Sequence, residues 1–250
     1  MKTVAVIPAR YASVRLPGKP LADICGKPMV WWVYHKMCGI DEIDGVCVAT
    51  DDRRIGDVCE KFGMPYMMTE SVHPTAANRL WEVSERLEAD FYLQINGDEP
   101  LISTEAVKAA IPEKLPKDRE YGINIITEIK DPVQLMDPSN IKVVFDDSMR
   151  ALYMSRTPIP FPFRMLNFSY YKHVGIIGYN KKMLDFYANS GPGRLEAIEG
   201  IDTLRFIDYG KELRFRIVEN CETLSVDTQK DLDEVRIMMR RQNPKNEGGH

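Results

Sequence analysis

The sequence has few cysteines, and they follow no pairing pattern. Five occur among 250 residues, an odd number, and no C-x-x-C or cysteine–histidine spacing connects them. Disulfide frameworks and zinc sites need such spacings, so we expect neither. We interpret the thiols as reduced and mostly buried; they are Cys25, Cys38, Cys47, Cys59 and Cys221.

Long apolar runs are also absent. No run approaches the roughly 20 residues that a bilayer-spanning helix needs. The N-terminal stretch Val4–Ala9 includes Pro8 and is too short for the apolar part of a signal peptide. We therefore predict a cytoplasmic protein with no membrane partner.

The sequence lacks an excess of positive charge as well. Its 33 basic and 37 acidic residues give a net charge of −4. Proteins that bind nucleic acid carry a basic surplus or recognisable aromatic RNA-binding motifs, and neither occurs here. The sequence therefore predicts no nucleic-acid partner, and any phosphate binding must come from a local basic cluster.

Strands and helices alternate along the first half of the chain. Apolar runs typical of buried parallel strands cover residues 3–7, 45–50 and 91–95, with a short strand at 65–69. Helical patterns cover 29–38, 54–62 and 78–87, and another helix begins at Ser103 or Thr104. This alternation predicts an α/β fold with a mostly parallel, Rossmann-like sheet flanked by helices.

The second half contains more strands. Strand patterns cover 122–128, 141–145, 151–155, 174–179 and 214–218, and helical patterns cover 181–189, 196–209 and 231–240. Pro158–Phe163 alternates proline with apolar residues, which excludes a central strand. With Tyr170 and Tyr171 it could form an exposed apolar arm that packs on a second subunit. We predict one domain over residues 1–240, in halves of about 1–120 and about 121–225, and a disordered tail at 241–250.

Polar clusters follow three strands of the first half. Arg10–Lys19 comes after the first strand, Asp51 and Asp52 follow the second, and Asn96–Glu99 follows the third. Ligands of such sheets bind at the carboxyl ends of the strands. We therefore expect the three clusters to converge on one site.

The first cluster contains the groups that bind a triphosphate. Gly18 allows the backbone to approach closely, and Arg10, Arg15 and Lys19 supply positive charge. The spacing is not that of a P-loop. An exposed basic loop without a ligand is the alternative interpretation, but the position directly after a buried strand favours phosphate binding.

Two aspartates are candidate ligands of Mg²⁺, which prefers one or two carboxylates together with phosphates and water. Asp98 lies in the turn Asn96–Glu99, and Asp227 lies before the last predicted helix. Each has a structural alternative: the turn could be a simple Asx-type connection, and Asp227 could be a helix N-cap.

These segments together resemble the CMP-Kdo synthetase family, the 3-deoxy-manno-octulosonate cytidylyltransferases. The resemblance spans about residues 2–240 in order. Residues 8–21, P-A-R-Y-A-S-V-R-L-P-G-K-P-L, match the family almost residue for residue. Further matching segments are 26–29, 48–52, 96–100, 141–144, 151–156, 171–176 and 226–228.

The resemblance implies a nucleotidyltransferase with a nucleotide-binding first half and a smaller, strand-rich second half for the acceptor and for dimerisation. It implies Mg²⁺ as cofactor, usually a homodimer, and transfer of CMP from CTP to an acidic acceptor, Kdo or a related 2-keto-3-deoxy sugar acid, with release of pyrophosphate. The catalytic positions are Arg15, Lys19, Asp98 and Asp227, the two aspartates being the metal ligands. The nucleotide positions are Pro8, Ala9, Arg10, Arg15, Lys19, His73 and Arg79. The acceptor positions are Asn96, Arg156, His173, Asp202 and Thr203.

The departures from the family pattern lie mainly on the acceptor side. The family's H-x-S-G-T-[DE]-R is His73–Arg79 here, with Ala76 in place of glycine and Asn78 in place of the acidic residue. Asn96 replaces a glutamine, and Ile201–Arg205 reads I-D-T-L-R where the family has L-E-Q-L-R. Such changes alter the acceptor more readily than the reaction. Two interpretations stay open: a changed acceptor, or neutral drift among enzymes that act on Kdo.

Two alternatives to Kdo transfer remain. The same chemistry could act on an amino-sugar acid, a phosphonate or a phosphate compound. The other alternative is a non-catalytic nucleotide-binding protein, against which the joint presence of both metal carboxylates and the three cationic residues argues. His173 could act as a general base, although orienting the acceptor is the favoured role.

Overall fold

One mixed sheet runs through the molecule. The computed structural model describes residues 1–13, 15–221 and 224–242. Its strands are β1 (Thr3–Ala9), β2 (Asp23–Ile24), β3 (Lys27–Pro28), β4 (Gly45–Thr50), β5 (Tyr66–Met68), β6 (Phe91–Ile95), β7 (Gly122–Glu128), β8 (Lys142–Phe145), β9 (Ala151–Ser155), β10 (Tyr171–Asn180) and β11 (Leu213–Ile217).

Helices flank the sheet. They are α1 (Met29–Cys38), α2 (Arg53–Lys61), α3 (Ala76–Arg86), α4 (Thr104–Ala109), α5 (Pro132–Met136), α6 (Lys181–Asn189), α7 (Arg194–Glu199), α8 (Leu204–Asp208) and α9 (Gln229–Gln242). Short polar side chains begin several of them. Asp52 caps α2, Thr75 caps α3 and Ser103 caps α4, each accepting a hydrogen bond from a first-turn backbone N–H.

The main sheet has the strand order β11-β7-β10-β6-β1-β4-β5, with β8 and β9 attached beside β10. β1 pairs in parallel with β4 and β6, and β4 pairs in parallel with β5. β10, from the second half of the chain, is antiparallel to both β6 and β7. The predicted α/β fold with a mainly parallel sheet is confirmed, and an antiparallel strand joins its two halves.

Both faces of β1 are buried, which explains its continuous apolar sequence. Ala5 and Ile7 pack into one hydrophobic cluster, and Val4 and Val6 pack into a second cluster on the opposite face. Successive side chains of a strand point to opposite faces, so a strand covered on both sides must be apolar throughout. Hydrophobic packing on both faces therefore fixes the position of β1, and the loop Arg10–Leu21 starts from its carboxyl end.

Two predictions about the second half were wrong. The single helix expected over 196–209 is divided into α7 and α8, because Gly200 adopts a left-handed φ of 62° that ends α7. Residues 241 and 242, which we expected in the disordered tail, are helical, since α9 continues to Gln242. Residues 243–250 lie outside the described residues. No regular strand forms over 158–163, as predicted.

Among the described residues, no helix is long and apolar enough to cross a membrane.

Candidate nucleotide-binding and catalytic site

A cleft of about 470 Å³ opens at the carboxyl ends of β1 and β6. The structure brings together here most of the residues predicted for the nucleotide and the metal, although their roles stay predictions. Those lining the cleft are Pro8, Ala9, Arg10, Arg15, Lys19, Arg79, Asp98 and Asp227, and Asn96, predicted for the acceptor, lines it as well. Ala76, one of the departures from the family pattern, also lines it, as do Ala12, Ser13, Pro20 and Gly97.

Gly18 shapes the loop that carries the cations. Its φ is 69°, and its N–H donates to the Tyr11 carbonyl at 2.9 Å. A Cβ at this position would lie 3.1 Å from the Tyr11 ring, so glycine is needed for both conformation and space. The guanidinium carbon of Arg54 stacks 3.3 Å from the centre of the same ring. This packing places Lys19 directly after the turn, at the start of a 3₁₀ helix spanning Lys19–Leu21.

Lys19 lies between the two candidate metal ligands. Its Nζ is 2.5 Å from Oδ2 of Asp98 and 3.2 Å from Oδ1 of Asp227. Arg15 Nη2 lies 3.1 Å from the same Asp227 oxygen. Burial acts to lower the pKa of Lys19, but the two carboxylates outweigh it and hold that pKa above its usual value. The ammonium stays charged at neutral pH and has two anionic partners.

Backbone contacts explain how residues so distant in sequence meet. A Cβ on Gly97 would lie 3.1 Å from the Pro8 carbonyl oxygen, so the turn after β6 packs directly on the end of β1. The Val226 N–H donates to the Asp98 carbonyl at 2.9 Å, which ties the segment before α9 to that turn. The Asp227 carboxylate consequently faces Lys19 and Arg15, which favours the predicted site over a simple helix cap.

Arg79 forms the base of the cleft and is fully buried. Its Nη2 lies 2.9 Å from Oδ2 of Asp51, and its Nη1 donates to the Thr69 hydroxyl. Burial and then the charge of Arg79 lower the pKa of Arg10, which lines the cleft beside it. The charge of Asp51 acts on both Arg79 and Arg10. With two guanidinium groups beside one carboxylate, this part of the cleft carries excess positive charge.

His73 contacts the site only indirectly. Its carbonyl accepts a hydrogen bond from Nη2 of Arg10, whereas its imidazole Nε2 lies 2.5 Å from Oε2 of Glu82. The backbone of His73 therefore helps to position Arg10, while its imidazole ring contacts Glu82.

The predicted acceptor residues are more scattered. Asn96 lines the cleft, and its Nδ2 donates to Oε1 of Glu99 at 3.2 Å. Arg156 binds the carbonyls of Pro138, Glu199 and Gly200, so its guanidinium braces a turn.

Asp202 and Thr203 lie beside the second hydrophobic cluster, outside the residues that line the cleft. Burial, and then the charge of Glu196, raises the pKa of Asp202. Thr203 is 1% exposed, and its hydroxyl donates to Sδ of Met154 at 3.2 Å. The Thr203 hydroxyl is therefore enclosed by the core and lies outside the residues that line the cleft, and its predicted contact with the acceptor stays a prediction.

Asn124 is a polar residue that the sequence analysis missed. It lies in the middle of β7, is fully buried, and contacts Nδ1 of His173 at 2.7 Å. The signal was present in the sequence, because an asparagine interrupts the otherwise apolar run G-I-N-I-I. Asparagine is depleted in strands, so a buried one indicates a specific hydrogen-bonding task.

Comparison with known proteins places this site in a family. A family model described as "Cytidylyltransferase" matches residues 4–219. The chain is 37% identical over 239 residues to a 3-deoxy-manno-octulosonate cytidylyltransferase of Escherichia coli, covering 95% of this chain and 96% of the relative. It is 39% identical over 248 residues to the protein of the same name from Geobacter metallireducens, covering 94% and 96%.

Solved structures resemble this chain in the same way as the sequence relatives. CMP:2-keto-3-deoxy-manno-octonic acid synthetase complexed with CTP superimposes with a TM-score of 0.89 at 37% identity, covering 97% of this chain and 100% of that one. An inositol-1-phosphate CTP transferase from T. maritima shares the fold, with a TM-score of 0.66 at 16% identity, over 99% and 97% of the two chains. This chain belongs to the family of the 3-deoxy-manno-octulosonate cytidylyltransferases.

Proposed function

We propose that this chain transfers CMP from CTP to Kdo (3-deoxy-manno-octulosonate) and releases pyrophosphate. The observation that carries the proposal is the cleft in which Lys19 and Arg15 face Asp98 and Asp227, in a chain that superimposes closely on a relative complexed with CTP. The names of the relatives from E. coli and G. metallireducens support Kdo as the acceptor.

The cations of the cleft would bind the triphosphate. Arg10, with Arg79 behind it, forms one positive region, and Lys19 with Arg15 forms the other. In the structure Lys19 and Arg15 are paired with carboxylates, so binding CTP would exchange some of these partners for phosphate oxygens. Fixed cations at this position would stabilise the charge that develops on the departing pyrophosphate.

Asp98 and Asp227 are the residues that would hold Mg²⁺. Oδ1 of Asp98 is buried and, among the described residues, has no hydrogen-bond partner, which suits a ligand atom of a cation. The described part of the chain contains no cluster of three or more histidine, cysteine, aspartate or glutamate residues that could hold a metal. The remaining ligands would be phosphate oxygens and water, as is usual for Mg²⁺. When bound, the cation would neutralise phosphate charge and polarise the α-phosphoryl group.

The reaction needs no covalent intermediate with the protein. An oxygen of the acceptor attacks the α-phosphorus of CTP in line, a new P–O bond forms, and the bond to the bridging oxygen of pyrophosphate breaks. The proton of the attacking hydroxyl passes to solvent water in this step. The protein's contribution is to hold the two substrates in line and to stabilise the charge of the leaving group.

We also propose a homodimer that acts in the cytoplasm. The segment 158–166 exposes large apolar side chains, with Phe161, Phe163 and Leu166 each 82% exposed, and burial against a second copy would remove them from water. All five cysteines are free, as expected in a reducing compartment.

The test is pyrophosphate release from CTP with Kdo, in the presence and absence of Mg²⁺. Asp98→Asn should reduce turnover by at least about 100-fold, because it removes a charged ligand from the reacting centre. Asp90→Asn is the matched control, because Asp90 precedes β6 at the end remote from the cleft, where its carboxylate accepts a hydrogen bond from the backbone N–H of Lys2. Full activity of Asp98→Asn would exclude the metal assignment.

A panel of acceptors separates the remaining alternatives. Turnover with Kdo supports the proposal. Turnover only with an amino-sugar acid, a phosphonate or a phosphate would show that the changes at Ala76, Asn78 and Asn96 alter the acceptor. CTP binding without turnover of any acceptor would indicate a non-catalytic protein.

A further inference from the structure

Strand β10 bulges where it passes the cleft. Its pairing with β7 changes register between His173 and Ile177, so the residues between them leave the regular ladder. Bulges of this kind often re-aim side chains beside functional sites. A Cβ on Gly175, inside the bulge, would collide with Nδ2 of Asn96 and Oε1 of Glu99. The bulged backbone thus packs directly on a residue of the cleft.

The side chain of Asn124 replaces the hydrogen bonds that the bulge disrupts. Its Nδ2 donates to the carbonyls of Val174 at 2.9 Å and Ile176 at 3.0 Å, and Ile125 O lies 3.1 Å away. Rotating the amide by half a turn would place Oδ1 against these carbonyl oxygens, which repel it. The surrounding backbone therefore determines which way the amide faces, and Oδ1 must point to His173.

This orientation determines the protonation of His173. Oδ1 of Asn124 lies 2.7 Å from Nδ1 and can only accept, so Nδ1 must carry the hydrogen. Burial lowers the pKa of His173 to about 4, so the ring is neutral at neutral pH. Nε2 is then unprotonated, the reverse of the form that predominates in free neutral histidine. His173 is half-buried, and it lies at the start of the bulge that packs on the cleft residue Asn96.

We propose that Asn124 is a positioning residue that keeps His173 in the Nδ1–H form, so that Nε2 accepts a hydrogen bond from a hydroxyl of the acceptor molecule. The identity of that molecule rests on the proposed function, but the tautomer does not. The hydrogen bonds from Asn124 to the carbonyls of Val174 and Ile176 also hold the bulge against Asn96, so Asn124 positions two of the predicted acceptor residues, His173 and Asn96. Neither effect involves the triphosphate groups of CTP.

The direct test is the tautomer of His173 in the ¹⁵N-labelled protein. Long-range ¹H–¹⁵N spectra distinguish protonated from unprotonated ring nitrogens, and the spectrum of His173→Gln identifies the signals among the four histidines. We expect protonated Nδ1 and bare Nε2 throughout the range from about pH 5 to about pH 8 in which free histidine titrates. Protonated Nε2, or an imidazolium at neutral pH, would overturn the proposal. This measurement needs no substrate, so it stands even if the chain fails to transfer CMP.

Asn124→Ala tests the consequence for the acceptor. We expect the Nδ1–H form to be lost and kcat/KM for the acceptor to fall by about tenfold, the worth of one hydrogen bond, with CTP affinity unchanged. Asn180→Ala is the control for general destabilisation, because Asn180 is also a buried asparagine that bonds backbone groups, at the start of α6. Retention of the tautomer and of acceptor kinetics in Asn124→Ala, to the level of Asn180→Ala, would refute the role.

Discussion

Replacing Asp51 by asparagine should separate the electrostatics of the cleft from its shape. Asp51 is the only carboxylate paired with Arg79 among the described residues, and Arg79 is fully buried. The substitution keeps the size of the side chain and an oxygen that can accept a hydrogen bond. It removes the charge that compensates a guanidinium which cannot deprotonate.

The expected cost follows from burial. Removing one partner of a buried ion pair costs about 3–5 kcal/mol. Asp51 is 18% exposed, so water can screen part of the loss, and we expect about 2–4 kcal/mol. For a chain of this size each kcal/mol lowers Tm by roughly 2–4 °C, which predicts a decrease of about 4–16 °C.

CTP should reverse much of this loss. Arg79 and Arg10 line the cleft, and the triphosphate supplies the negative charge that Asp51 no longer provides. Saturating CTP should therefore raise the Tm of Asp51→Asn by more than it raises that of the unmodified protein, as measured by scanning calorimetry.

Asp52→Asn is the matched control for this experiment. Asp52 is the next residue, but its partner Arg54 is 60% exposed, and asparagine can still cap α2. We expect little change in Tm for the control. Equal decreases in the two variants, or a CTP-induced shift no larger in Asp51→Asn than in the unmodified protein, would refute the reasoning.

Two further predictions concern the second half of the chain. Arg205→Met should cost about 3–5 kcal/mol in urea unfolding, because Arg205 grips buried Glu196 through Nε and Nη2, each at 2.7 Å. The double variant with Glu196→Met should lose less than the sum of the single losses, and strict additivity would argue against a direct pair. Phe161→Ser combined with Phe163→Ser should shift sedimentation velocity from dimer to monomer while CTP binding persists; an unchanged mass would remove this segment from the proposed interface.

Local patterns predicted much of the fold because they depend on neighbours in sequence. The helix at residues 29–38 and the strands at 91–95, 122–128 and 151–155 formed with the predicted bounds. Their apolar spacing reports directly which faces are buried. The error at 196–209 also comes from reading local spacing. The helical pattern continues through Gly200, and only the backbone conformation of that glycine shows that the helix ends there.

The candidate site was predictable where one short segment supplies its geometry. The loop from Arg10 to Leu21 contains its own turn at Gly18 and its own cations, so residue types and spacing were enough. The role of Thr203 could not be judged in this way. Whether a hydroxyl faces a cleft or Sδ of Met154 depends on how α8 packs against β9.

The sequence by itself determined the apolar strands, the turn and the cations of the loop Arg10–Leu21, and the membership of the family. Tertiary structure decided which distant groups meet. Asp227 reaches Lys19 because the preceding residue, Val226, donates a backbone hydrogen bond to Asp98 in the turn after β6. Asn124 reaches His173 because β10 lies between β6 and β7 and contains a bulge. The physical reason is that sequence spacing records only the local period of a helix or strand. The register and order of strands are set by packing across the whole sheet.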